Sequence, residues 1–198
     1  MPSIATQRHS LGDCLPSTFQ TTLSSARNRG DATGNYWLID PVDGTANFIS
    51  GIPIWSVSIA YVLADEPVLG AVALPALGTI IWAAWCSSCR GTVAVDRCER
   101  VRGLWDRPKP VWPTVHRVEI EAEIEAAGYH VVSLGSCAAS LALVATGRLA
   151  GYIEHGANLW DCAAGHVLCV AAKKPSLIDP DQINQKVSII AGAELQPR

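Results

Sequence analysis

Glutamate is missing from the first third of the sequence: of eight in 198 residues, the first is Glu66. Basic residues are also scarce. Lys and Arg total 15 against 18 Asp and Glu, for a net charge of -3. No cationic excess is available to displace counterions from a polyphosphate backbone, which excludes a generic nucleic-acid binder. Charged residues make up only 17% of the chain and hydrophobic ones 49%, which excludes wholesale disorder. Residues 1–12 contain no apolar run of the kind a secretory leader needs. What remains is a chain long enough for a domain, or one and a half, with its own core.

Seven cysteines (14, 86, 89, 98, 137, 162 and 169) are an odd number in a chain that is not small. Cys137, Cys162 and Cys169 sit among Ala, Leu and Val, where a free thiol behaves as a small core residue. A reducing, cytoplasmic setting is expected. Cys86-x-x-Cys89, with Cys98 beyond it, has neither a second pair nor paired histidines at finger spacing, so zinc is not expected there. His155 reads as an exposed loop histidine. Trp105 and Trp112, among Arg and Lys, read as part of a proline-rich surface loop rather than a base-stacking platform.

Residues 67–89 carry no charge and are long enough to span a bilayer. Pro75 and Gly78 break the run, Gly70 and Gly78 flank short β-rich pieces, and Asp65-Glu66 supplies a turn before it. Adjacent buried antiparallel strands are therefore expected, not a membrane span.

Three segments follow along the chain. Residues 1–34 hold ten Ser or Thr and no strong apolar period, and read as weakly ordered. Residues 35–113 read as an antiparallel-sheet subdomain, with strands at 36–39, 54–63, 68–74, 79–85 and 92–95, closed by a loop at 102–113. Residues 114–198 read as alternating helix and strand: helices at 116–127, 136–149 and 161–172, strands at 129–134, 150–154 and 187–191. The order makes the fold class α+β shading into α/β.

Three motifs carry chemistry. Trp37-Leu-Ile-Asp40-Pro-Val-Asp43-Gly44-Thr45-Ala-Asn47-Phe48 sends two carboxylates off the end of a buried strand. Hard divalent cations take such oxygen donors, and backbone N–H groups near Gly44–Thr45 suit a phosphate oxygen. The same residues also make a good turn. Glu154-His-Gly-Ala-Asn-Leu-Trp160-Asp161-Cys-Ala-Ala-Gly165 starts a helix at Asp161, as a helix cap or as a further metal ligand. Ala163, Ala164 and Gly165 would let that helix lie close to a sheet. Leu134-Gly135-Ser136-Cys137-Ala-Ala runs strand into helix, as a ligand-binding approach or simply a capped turn.

Together, and in this order, the three resemble the inositol monophosphatase family of Mg²⁺-dependent, lithium-sensitive phosphatases, over about 36–172. Gly51-Ile-Pro-Ile-Trp-Ser-Val-Ser-Ile-Ala and Ala145-Thr-Gly-Arg-Leu-Ala-Gly-Tyr-Ile-Glu154 extend the resemblance. It implies a layered α-β-α-β-α sugar-phosphatase fold, here with the N-terminal helical layer largely missing. It also implies two or three Mg²⁺ ions, a small phosphorylated substrate, and a homodimer as one possible assembly. By the same resemblance Asp40 and the Val42 carbonyl hold metal, and Asp43 and Asp161 complete a second site. Gly44 and Thr45 would bind phosphate, with the Thr45 hydroxyl orienting the attacking water. Gly135, Ser136 and Cys137 would line the substrate pocket, and Glu154 would contact substrate hydroxyls.

The departures concern the metal site. Family members are commonly longer and carry Gly-Glu-Glu ahead of Asp-Pro-x-Asp, the first glutamate binding metal. The nearest substitute is His9-Ser-Leu-Gly12-Asp13, so Asp13, 27 residues before Asp40, is carried as a candidate ligand. Two readings stay open: a phosphomonoesterase of inositol monophosphate or a related ester, or a degenerate, catalytically impaired member that binds or dimerises, or is a fragment. Weak or absent turnover is expected of the chain as it stands.

Overall fold

The computed structural model describes residues 35–84, 93–94, 104–106, 114–181 and 186–192. Expectations for residues 1–34, including Asp13, and for Cys86, Cys89, Cys98 and Trp112 lie outside these residues.

Strict two-residue alternation builds the first sheet. In β1 (Tyr36–Asp43) as far as Asp40, throughout β2 (Ser56–Leu63), in β3 (Glu66–Leu74) from Gly70 and in β4 (Thr79–Ala84) from Ile81, every second residue is buried. With the short β5 (Val93–Ala94) they form an antiparallel meander in the order β1-β2-β3-β4-β5. The described part of the charge-free run, residues 67–84, is thus split into paired strands, and among the described residues no helix is long and apolar enough to cross a membrane. The β2–β3 turn is made by Ala64 and Asp65, both at positive φ, while Glu66 already belongs to β3.

The second sheet is mixed, in the order β7-β6-β8-β10-β9. Here β6 (Leu104–Asp106) lies parallel to both β7 (His130–Val132) and β8 (Gly151–Ala157). Antiparallel pairing adds β10 (Lys186–Gly192) and β9 (Ser176–Asp181). Two sequence expectations change. Residues 104–106 are not surface loop: Trp105 is fully buried, and a Cβ on Gly151 would fall 2.4 Å from its ring. His155 is not an exposed loop residue but a half-buried member of β8, with Nδ1 2.6 Å from Ser188 Oγ.

Between the sheets lie α3 (Cys137–Ala145) and α4 (Leu159–Ala171), both rich in small residues and buried over most of their length. One continuous core joins Leu38, Val62, Val72 and Ile81 of the first sheet to Leu141, Val144 and Leu168 of the helices and Ile189 of the second sheet. Cys137, Cys162 and Cys169 are buried free thiols in that core. Burial pushes the Cys169 thiol up to about 12, so it stays protonated. A further helix, α2 (Thr114–Ala126), buries Ile124 and touches β7.

Small residues set the spacing of these layers. A Cβ on Gly70 of β3 would meet the Ala164 carbonyl oxygen at 2.4 Å and Ala164 Cα at 2.9 Å. A Cβ on Gly165 would fall 2.4 Å from Leu141 Cβ. The Ala-Ala-Gly stretch after Asp161 thus lets α4 lie against the first sheet on one side and α3 on the other. Gly70, which flanks a β-rich piece in the sequence reading, sits inside a strand because a helix backbone crosses it.

Candidate metal and phosphate site

Alternation alone would send Asp40 and Asp43, three residues apart, to opposite faces of β1. The pairing steps from Asp40↔Ser58 to Asp43↔Ser56, three residues on β1 against two on β2. This bulge adds one residue, restores parity, and turns both carboxylates to the buried face. Asp40 is 8% exposed and Asp43 3%. The strand therefore does not stop at Asp40, as the Asp-Pro pair suggests; it continues through the bulge to Asp43.

Each carboxylate is held from several directions. Asp40 Oδ1 accepts the Val42 N–H at 3.0 Å. Asp43 Oδ2 accepts from Ser136 Oγ at 2.6 Å, from the Ala138 N–H at 2.7 Å and from Ser56 Oγ at 3.3 Å. Ser136 also caps α3, accepting the Ala139 N–H at 3.3 Å, so one hydroxyl ties the helix start to the carboxylate. Gly44 follows at φ 84 and opens the five-residue α1 (Thr45–Ile49). Thr45 Oγ1 donates to the Val42 carbonyl at 2.9 Å.

Asp161 arrives from α4. It does not occupy the cap itself, as its place in the sequence suggests. Asn158 is the N-cap and Asp161 the third residue of the helix. Its Oδ2 reaches back to accept the Asn158 backbone N–H at 3.2 Å and the Asn158 side-chain amide at 3.0 Å. One ligand atom from each of Asp40, Asp43 and Asp161 lies within 4.8 Å of the others. Three carboxylates this close repel unless a cation sits among them, and an all-oxygen donor set suits a hard divalent ion.

A cleft of about 400 Å³ opens over this group, lined by Asp40, Val42, Asp43, Gly44, Thr45, Ala46, Gly135, Asn158, Trp160 and Asp161. Gly135, at φ 80, is held by Asn47, whose Nδ2 donates to the Leu134 and Ile54 carbonyls at 2.6 Å each. From behind, buried Asp106 accepts the Leu134 N–H at 2.9 Å and the Ser140 hydroxyl.

Seven of the residues singled out in the sequence thus share one cleft: Asp40, Val42, Asp43, Gly44, Thr45, Gly135 and Asp161. Ser136 stands behind Asp43 rather than in the cleft. Cys137 is fully buried; desolvation, then the nearby Glu154 charge, holds its thiol well above the ordinary range. Glu154 is 2% exposed, takes the Tyr152 hydroxyl and does not line this cleft. Burial and the Cys137 and Glu154 charges likewise push the Tyr152 phenol up. The Cys162 thiol is raised by burial and by Asp161. Ala46, Asn158, Trp160 and the supporting Ser56 were not singled out as site residues. The Asn-x-x-Asp spacing ahead of α4 is the signal that could have marked Asn158.

Comparison with known proteins shows the family. Residues 20–173 match the model of the inositol monophosphatase family. Protein y4fL of Sinorhizobium fredii is 57% identical over 167 residues, covering 83% of this chain and 60% of that protein. The inositol-1-monophosphatase SuhB of Mycobacterium tuberculosis is 38% identical over 149 residues, 69% of this chain and 50% of that one. In structure, the extragenic suppressor protein suhB of Bartonella henselae matches with a TM-score of 0.68 at 28% identity, covering 83% of this chain and 67% of that chain. The chain spans between half and three-fifths of the length of these curated relatives. With the family model matched over residues 20–173 of its 198, the chain belongs to the inositol monophosphatase family.

Proposed function

We propose that this chain is a Mg²⁺-dependent phosphomonoesterase that hydrolyses inositol monophosphate or a related small phosphate ester in the cytoplasm. The observation that carries the proposal is the convergence of Asp40, Asp43 and Asp161 beside the Gly44–Thr45 turn. Bound Mg²⁺ would supply Lewis-acid polarisation of the phosphoryl oxygen and a bound water of lowered pKa. Asp40, Asp43 and Asp161 would hold it, with the Val42 carbonyl.

The other roles belong to the protein. The N–H groups of Gly44 and Thr45, which line the cleft, would donate to phosphate oxygens. Thr45 Oγ1 commits its proton to the Val42 carbonyl, so the hydroxyl can only accept from an incoming water. Accepting a hydrogen bond from that water would leave a water lone pair directed at phosphorus. Asn47 and Asp106 fix the Gly135 wall of the cleft, and no substrate contact is assigned to Glu154 or Cys137.

One observation favours the second reading. No glutamate precedes Glu66, and among the described residues the metal-binding group is three aspartates. A member with these ligands alone would bind a cation yet turn over slowly.

Malachite-green detection of phosphate separates the two, using inositol 1-phosphate and a panel of sugar phosphates with and without Mg²⁺. Slow release that requires Mg²⁺ is expected. No release from any ester, with a Mg²⁺-dependent rise in melting temperature, would give the second reading. Neither release nor a thermal shift would overturn the phosphatase reading and the cation site with it.

A further inference from the structure

Asp161 is joined to the second sheet by a chain of donors. Lys186, the first residue of β10, donates from Nζ to Asn158 Oδ1 across 28 positions of sequence. Asn158 then donates to Asp161 Oδ2 twice, from its side-chain amide at 3.0 Å and its backbone N–H at 3.2 Å. We infer that Lys186, acting through Asn158, is a positioning residue that holds the Asp161 carboxylate ready for a divalent cation. The inference rests on the cation-site reading of the preceding section.

The argument is one of donor and acceptor inventory. A lysine ammonium has three donors and no acceptor, so Asn158 must turn its oxygen toward Lys186. Its NH₂ is thereby committed to Asp161. Without the lysine, the amide keeps its bond to the carboxylate but loses its anchor on the second sheet, so Asn158 can swing and carry Asp161 off the point it shares with Asp40 and Asp43. Asn158 also opens α4: its carbonyl accepts the Asp161 N–H at 3.0 Å, and it lines the cleft. A shift at Asn158 is therefore transmitted to the carboxylate directly.

The sign of the effect separates positioning from simple charge. A nearby positive charge alone would repel a cation, so removing it would tighten cation binding. A positioning lysine gives the reverse, because losing it loosens the ligand. Partners behind a metal ligand typically contribute 10–100-fold in metal affinity.

Mn²⁺ binding to the full chain, read from the electron paramagnetic resonance of the free ion, provides the test without any turnover. Lys186→Met is expected to weaken Mn²⁺ binding about tenfold, and Lys186→Arg, which keeps donors, to restore most of it. In an Asn158→Ala background, Lys186→Met should add no further loss, because the lysine acts only through that amide. Melting temperatures in EDTA confirm that each variant is folded, and Lys186→Gln, expected to weaken Mn²⁺ binding in the same direction, carries the test should Lys186→Met not fold. Tighter or unchanged Mn²⁺ binding in Lys186→Met, or fully additive losses in the double variant, would overturn the inference while leaving the cation site standing. No Mn²⁺ uptake by the wild type would overturn the site and the inference together.

Discussion

Asp43→Asn is expected to bring Mg²⁺-dependent phosphate release down to background and to erase the thermal shift produced by Mg²⁺, while the cation-free protein melts almost unchanged. The three donors on Asp43 Oδ2 dictate this split. One of them, the Ala138 N–H, cannot reverse its direction, so an asparagine must present its amide oxygen there. Its NH₂ then faces Asp40 and Asp161, where it can ligate nothing. Charge-assisted bonds to the carboxylate are weakened, which costs stability, but repulsion within the trio is relieved, which returns part of it. Loss of a direct ligand should exceed the 10–100-fold penalty typical of groups one step removed. Phosphate release and melting curves with and without Mg²⁺ check both halves. An Asp43→Asn protein that keeps its Mg²⁺ response would remove Asp43 from the site.

The second large effect lies in the packing. Gly70→Ala puts a methyl carbon 2.4 Å from one backbone atom of Ala164 and 2.9 Å from another, and neither can rotate away. Either β3 or α4 must move. Overpacking of this kind costs about 1–3 kcal/mol, and the double backbone clash argues for the upper end. For a chain of this size that corresponds to a drop of roughly 10 °C in melting temperature. Gly78→Ala is the control. Gly78 sits at φ 60 with nothing within 4 Å of a Cβ, so it carries only backbone strain of about 1 kcal/mol. Because α4 carries Asp161 three residues before Ala164, Gly70→Ala should also weaken Mg²⁺ binding, which Gly78→Ala should not. Equal melting temperatures for the two variants would contradict the packing described.

What the sequence made legible follows from the range over which each signal acts. Strands β1 to β4 announce themselves as short apolar runs between turn residues, and Ser136 caps α3 as its place after Gly135 suggests, because both are local. The acidic motifs pointed to one cleft through their resemblance to a family, and Asp40, Asp43 and Asp161 do converge there. Features that need a distant partner stayed hidden. Trp105 looks like loop because three prolines follow it within eight residues and its strand has only three, yet its parallel partners are Val131 and Gly151. The edge strand β9 is masked by Pro180, which an edge tolerates. The β1 bulge exists only in the register with β2, so nothing in Asp-Pro-Val-Asp alone says that both carboxylates share a face. Lys186 had no local signal at all, since its role depends on a contact made across the sheet.

The central claim is that Asp40, Asp43 and Asp161 hold a divalent cation in one cleft. Anomalous diffraction from a crystal soaked in Mn²⁺ tests it most directly. The account predicts a peak between the three carboxylates, with oxygen atoms of all three at about 2.1 Å. A well-ordered cleft with no anomalous peak, or a peak that leaves Asp161 out of contact, would contradict it.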